Sequence, residues 1–374
     1  MREWLKKLFK HVENPPSPQS FWQNEHTTIF IYGTGTMAQD VYRVLTGNGL
    51  PVTGFIDHME RENPFIQGIP IYQPQDAPQT NSGNNVVVLG IHNYQADLLK
   101  IIKKLNACGF NRIVSIVELY DHFGNQLGVR YWLTSRNFYP PLAQVLERLD
   151  SLWTDERSQS LYRSILEFRF TGDSSFLPRP DFGTQYHPQD VPAPRTPIRF
   201  VDCGAFDGDT LSDLINIGMH LEAVAAFEPD AVNFNKLKKF VSQEKRLNNI
   251  SLWPCGLYSS TTQLTFDTGK DMASGISADG KAVIQCIALD DAIPTFAPTL
   301  IKMDIEGAEY DALLGARRLI EEHKPELALS VYHRPEHLWQ LPLLAHRLSK
   351  GKYHFYLRSH AYNGFELVLY AIPY

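Results

Sequence analysis

Three acids stand where three apolar runs end, and their spacing is what could do chemistry in this chain of 374 residues. The run Phe200-Val201 ends in Asp202, and the small-residue turn Cys203-Gly204-Ala205 opens into Phe206-Asp207-Gly208-Asp209-Thr210. A strand that runs through such a turn into a helix is the first βα turn of a doubly wound sheet, where glycine lets backbone approach a nucleotide-like cofactor. Glu228, followed by Pro229, ends a second apolar run 24 residues after Gly204. An acid there can accept hydrogen bonds from both hydroxyls of a ribose. A third run, Leu300-Ile301-Lys302-Met303, ends in Asp304, with Glu306 two residues on. These tips are expected to face one crevice at the carboxyl ends of their strands.

The elements that must hold those tips can be read in order. Strands are expected over 198–203, 223–229, 249–257, 299–305, 326–333, 353–360 and 366–373, with helices over 207–218 and 310–322 between the earlier ones. Asn363-Gly364 marks a hairpin between the last two strands. The pattern predicts an α/β fold, a mostly parallel sheet closed by one antiparallel hairpin.

These residues resemble the FkbM family of S-adenosylmethionine-dependent methyltransferases. That family's first motif, roughly D-x-G-A-x-x-G-x-x-T, is met by Asp202, Gly204, Ala205, Gly208 and, one residue early, Thr210. Its K-x-D-[IV]-E-G-x-E-x-x-x-L-x-G-A signature is met by Lys302, Asp304, Ile305, Glu306, Gly307, Glu309, Leu313, Gly315 and Ala316, and its S-[VI]-Y-H by Ser330, Val331, Tyr332 and His333. Phe206 stands where the commoner methyltransferase G-x-G has its second glycine. The resemblance covers about residues 196–374 and implies a class I methyltransferase fold, S-adenosyl-L-methionine as cofactor, and O-methylation of a sugar, glycan or secondary metabolite. It implies cofactor contacts from Asp202, Gly204, Ala205, Phe206, Gly208, Thr210, Glu228, Pro229 and Asp304. His333, with an ordinary pKa near 6.5, is expected as general base, with Asp304 or Glu306 orienting it or acting directly. Asp304 as a helix cap, with Glu309 and Asp311 as first-turn acids, is the bland alternative. No metal is expected at Asp304, Glu306 and His333, and Pro335 argues against pairing His333 with His337 on one helical face.

The first half carries a similar pattern. The run Thr28–Tyr32 leads into Gly33, Gly35 and Ala38 of a G-x-G-x-x-A turn, and Asp57 ends the next apolar run 24 residues after Gly33. This predicts a second Rossmann-like unit, with NAD(P) or a nucleotide-sugar at Gly33, Gly35 and Asp57 as its ligand, or no ligand at all. The expected organisation is an amphipathic segment 1–24, a Rossmann-like domain 25–125, a helical connector with a Pro-rich linker 126–195, and the methyltransferase domain 196–374. Trp4, Leu5, Leu8, Phe9 and Val12 form the apolar side of the first helix, expected to pack on its own domain. Tyr186 and His187 lie in the linker, read as solvated rather than folded over a cofactor.

Composition narrows the partners. A net charge of −6 argues against a general nucleic-acid surface. Cys108, Cys203, Cys255 and Cys286 are far apart, so neither a zinc site nor a disulfide framework is indicated. With no apolar run of spanning length and no signal peptide in view, a cytoplasmic location is expected. The expected partner is a small-molecule or glycan acceptor, with no nucleic acid and no stable membrane span, and a homo-oligomer is left open. Two other readings stand beside the enzyme: a bifunctional protein whose first unit binds NAD(P) or a nucleotide-sugar, and a non-catalytic binding or scaffold protein.

Overall fold

The computed structural model describes residues 2–13, 27–59, 62–78, 85–266 and 282–374. The chain forms two compact units, one of residues 1–150, 160–180 and 361–365, the other of residues 151–159, 181–360 and 366–374.

The first unit is built on a six-stranded sheet: β1 (Thr28–Tyr32), β2 (Val52–Ile56), β3 (Phe65–Ile66), β4 (Ile69–Tyr72), β5 (Asn85–Leu89) and β6 (Arg112–Val114), in the order β3-β4-β2-β1-β5-β6. All neighbours are parallel except β3 and β4. Central β1 and β5 are buried almost throughout, as the uninterrupted Val86-Val87-Val88 requires of a strand covered on both faces. Helix Leu98–Ala107 starts where Asp97 caps it by accepting from the Lys100 N–H. The apolar run that begins with β6 breaks at Ser115, whose hydroxyl and Glu118 form a capping box that starts helix Ile116–Leu127. Helix Glu3–Glu13 buries Leu5, Leu8 and Phe9, with Phe9 against Phe170 and Arg2 paired to buried Asp150.

The second unit carries a seven-stranded sheet: β7 (Ile198–Cys203), β8 (Leu221–Phe227), β9 (Ile250–Trp253), β13 (Leu300–Met303), β14 (Glu326–Ser330), β15 (Tyr353–Ser359) and β16 (Leu367–Pro373). Its order is β15-β16-β14-β13-β7-β8-β9. The pairs from β14 to β9 are parallel, and β16 runs antiparallel to both β14 and β15. This is the expected mostly parallel sheet with an antiparallel hairpin, in the strand order of a class I methyltransferase fold. The strand expected over 249–257 is instead two, since β9 ends before Pro254 and β10 (Gly256–Leu257) leaves to pair with β12 (Ala282–Ile287) beside β11 (Thr262–Phe266). The helix expected over 310–322 is also two, Glu309–Leu314 and Arg317–His323. Strand order reverses at β7, with β8 on one side and β13 on the other, so the crevice opens where those three strands end.

Candidate active site

The tips of β7, β8 and β13 line a cavity of about 180 Å³. Asp202 lies behind its wall, buried and 3.0 Å from the Lys302 ammonium, to which β7–β13 register delivers it. Lys302 also donates to the Gly204 carbonyl at 2.5 Å. Burial pushes the Asp202 carboxyl up to about 6, against the pull of Lys302. Burial alone would lower Lys302, but Asp202, Asp304 and Asp209 outweigh it and hold the ammonium above its usual range. Asp202 therefore sets the loop through Lys302 and does not reach the cavity.

The glycines answer to a constraint within the protein itself. Gly204 (φ 82°) has so close a neighbour that a Cβ would stand 2.0 Å from the Asp304 carbonyl oxygen, and at Gly208 (φ 96°) it would stand 2.5 Å from the Phe240 ring. The protein's own backbone and core already demand glycine at both. Gly204 lines the cavity, whereas Ala205 and Gly208 lie behind it.

Glu228 faces the cavity from the end of β8. Its Oε1 accepts the Asp230 N–H at 2.8 Å and its Oε2 the Phe206 N–H at 2.9 Å, which leaves each oxygen a further lone pair. Phe206 sits at φ 48°, a conformation costly for a residue with a side chain, and its bond to Glu228 helps to hold it. Burial pushes the Glu228 carboxyl up to about 7. Pro229 and Thr210 complete this side, Thr210 in the first turn of helix Asp209–Asn216.

The tip of β13 brings the other expected residues together. Asp304 Oδ2 accepts the Tyr186 hydroxyl at 2.8 Å, and its Oδ1 lies 3.3 Å from His333 Nε2. Glu306 (φ 53°) points Oε1 at the same nitrogen from 3.7 Å. His333 is buried, and its Nδ1 lies 2.6 Å from Glu309 Oε1. Burial alone would lower the imidazole, but Glu309, Glu306 and Asp304 outweigh it and push its pKa up to about 10. That departs from the value near 6.5 expected from sequence: three acids around one ring hold it charged, and a charged ring cannot take a proton. Burial likewise pushes Glu306 up to about 8, so it too carries a proton near neutral pH. Asp304 does not cap the next helix, whose N-cap is Ala308.

In the first unit, Gly33 and Gly35 flank Thr34, whose hydroxyl donates to Asp57 Oδ2 at 2.6 Å, while Asp57 Oδ1 accepts the Met59 N–H at 3.0 Å. Gly33, Gly35 and Asp57 thus share one loop cluster at the ends of β1 and β2.

Residues 202–363 match the family model described as the Methyltransferase FkbM domain. This segment is an FkbM methyltransferase domain. The fold of the chain is also that of the solved Methyltransferase FkbM from Methylobacillus flagellatus KT, which is 22% identical, with a TM-score of 0.73 over 99% of this chain and 94% of that one. The citrinin polyketide synthase CMeT domain (10% identical, covering 63% of this chain and 57% of its own) and the CurJ carbon methyltransferase (13%, 63% and 68%) each reach a TM-score of only 0.26, too low to inform on this chain. No curated protein matches it.

Other residues take places around the site that the sequence did not assign them. Tyr186, from the Pro-rich segment, forms cavity wall against Asp304, and its neighbour Gln185 donates to Glu366 Oε2 at 2.7 Å. Tyr332 donates to Glu366 Oε1 at 3.1 Å, and Glu366 closes the same wall. Glu309, read as a first-turn acid, instead binds His333 and lies 3.2 Å from His337 Nδ1, joining two histidines that Pro335 seemed to separate. Tyr186 had a signal in its sequence position, and Tyr332 and Glu309 were motif letters; what each touches became visible only when β14 and β16 were placed beside β13. Among the described residues no helix is long and apolar enough to cross a membrane.

Proposed function

We propose that the FkbM domain is an S-adenosyl-L-methionine-dependent O-methyltransferase acting on a hydroxyl of a sugar, glycan or secondary metabolite. The observation that carries the cofactor is Glu228: a carboxylate at the cavity wall, fixed by two backbone N–H groups, with lone pairs left for ribose hydroxyls. Bound there, the cofactor supplies a methyl group on a positively charged sulfur, a centre already activated for transfer. Phe206, Thr210 and Pro229 line the same end and would enclose it, while Asp304 favours a positive charge nearby.

Support for a hydroxyl acceptor comes from the opposite wall. Asp304, Glu366, Gln185, Tyr186 and Tyr332 present hydrogen-bonding groups of low positive charge, which suit a neutral polyhydroxy compound and repel a carboxylate or phosphate. His333 and Glu306 hold protons near neutral pH, so Asp304 is the carboxylate placed to receive the proton of the acceptor hydroxyl. Holding that oxygen in line is worth roughly 7–11 kcal/mol of barrier.

The test is calorimetric titration with S-adenosylhomocysteine, NAD⁺, NADPH and a nucleotide-sugar panel. Binding of S-adenosylhomocysteine that Glu228→Ala abolishes or weakens supports the assignment. Heat only from NAD(P) or a nucleotide-sugar would move the active centre to Gly33, Gly35 and Asp57.

A further inference from the structure

Behind the cavity wall, one carboxylate ties the loop that carries Asp304 to the histidine ring that faces it. Glu309 is fully buried at the start of helix Glu309–Leu314. Its Oε1 accepts the Ile305 N–H at 2.9 Å and lies 2.6 Å from His333 Nδ1. The first contact ties down the loop that carries Asp304 and Glu306; the second orients the ring that faces both acids. We infer that Glu309 is a positioning residue for methyl transfer, which keeps His333 as a doubly protonated donor aimed at Asp304 and Glu306. The inference rests on the methyltransferase reading of the cavity.

The physical argument is geometric. A carboxylate 2.6 Å from Nδ1 requires a proton there. Nε2 then meets Asp304 Oδ1 at 3.3 Å, with Glu306 Oε1 farther off at 3.7 Å, and a bare lone pair facing the Asp304 oxygen would be repelled. The surroundings add to this from every side. Glu306 and Asp304 come from the β13 loop, Glu309 from the next helix, and Glu366 from the start of β16. His337 shares Glu309 through Oε2, the Tyr332 ring lies 4.2 Å away, Tyr186 engages the far oxygen of Asp304, and Arg334 donates to the Gly307 carbonyl at 2.9 Å. The acids outnumber the cations around the ring, and burial strengthens their pull on it. Asp304, Glu309 and His333 place ligand-type atoms within 4.8 Å of one another, as a metal site would. The 2.6 Å contact spends Nδ1 and Oε1 on each other, which suits a shared proton better than an ion between them.

Glu309 thereby decides which group can accept a proton. With His333 fixed as donor, Asp304 is held as acceptor and oriented from two directions, by His333 on Oδ1 and Tyr186 on Oδ2. Losing Glu309 would free Nδ1, lower the ring's affinity for its second proton and release the Ile305 backbone.

The experiment is an NMR titration of histidine-labelled full-length protein, wild type against Glu309→Gln and Glu309→Asp, with His333→Gln to assign the resonance. Wild-type His333 should stay protonated through pH 8, its pKa should fall by more than one unit in Glu309→Gln, and Glu309→Asp should recover part of the loss. A wild-type His333 that titrates near pH 6.5, or one whose titration is the same in Glu309→Gln, overturns the inference. So does loss of the imidazolium signal on adding millimolar Mg²⁺ or Zn²⁺. The wild-type arm decides even if the glutamine variant fails to fold. Calorimetry with S-adenosylhomocysteine on the same wild-type sample keeps the two readings apart: absent binding would remove the methyltransferase assignment while leaving the titration interpretable.

Discussion

Glu228 shows how much one carboxylate is asked to do. It fixes Phe206 in a left-handed conformation, meets the Asp230 N–H, and still offers lone pairs to the cavity. Glu228→Ala is expected to weaken S-adenosylhomocysteine binding by roughly 1.5–3 kcal/mol, the range for a hydrogen bond to a charged group. An unchanged dissociation constant would remove the ribose assignment. The same group makes binding sensitive to pH. Burial raises its pKa from 4.5 to about 7, and an ionised carboxylate is the better acceptor for ribose hydroxyls. Affinity is therefore expected to rise with pH through about 7 and then level off; calorimetry between pH 5.5 and 8.5 that finds a flat or falling affinity contradicts this. Lys302 was legible in sequence only as a motif letter. Its role became visible when parallel pairing set it beside Asp202, a neighbour about 100 residues away.

At the scale of elements, side chains from outside a segment start or stop it. Helix Ala231–Gln243 begins because Asp230 accepts from the Val232 and Asn233 N–H groups at 2.9 and 3.0 Å. Asp230→Ala is expected to cost about 0.5–2 kcal/mol of stability, read as a lower urea midpoint. The backbone N–H that supports Glu228 survives the change, so cofactor-site binding should weaken much less than in Glu228→Ala. The second half of the helix expected over 310–322 starts at Arg317 because Asp290 accepts from the Arg318 and Leu319 N–H groups at 2.7 and 3.0 Å. Periodicity alone runs straight through that break, since the capping acid sits 27 residues upstream of Arg317. The Pro-rich stretch over 172–197 forms no α-helix, and composition could not say what it touches. Tyr186 reaches Asp304, and the backbone carbonyl of Gln185 accepts from Tyr370 of β16, so this connection is part of the cavity wall rather than a solvated linker.

Across the whole molecule, buried acids and His333 share one sign. Burial raises Asp202 to about 6, Glu228 and Glu326 to about 7 and Glu306 to about 8, while surrounding acids raise His333 to about 10. The folded chain keeps protons that the unfolded chain has released, so each contribution to stability is complete below the ordinary pKa and lost as pH climbs through the raised one. Glu309 acts oppositely: held well below 4.5, it stabilises above that value and fails on acidification. Melting temperature is expected to fall steadily from pH 6.5 to 10; scanning calorimetry showing a flat or rising trend there would contradict the assigned shifts. By itself the sequence determined the α/β class, the seven-stranded order's antiparallel close, and which strand tips carry Asp202, Glu228 and Asp304. Those follow from period-two and period-3.6 patterning and short motifs, which are local. Only the tertiary structure decided that Asp202 serves Lys302, that Glu309 governs His333, and that Tyr186 and Glu366 complete the cavity. Each of these depends on strand register or on a connection folding back, and on how burial weighs one charge against another, which no local pattern carries.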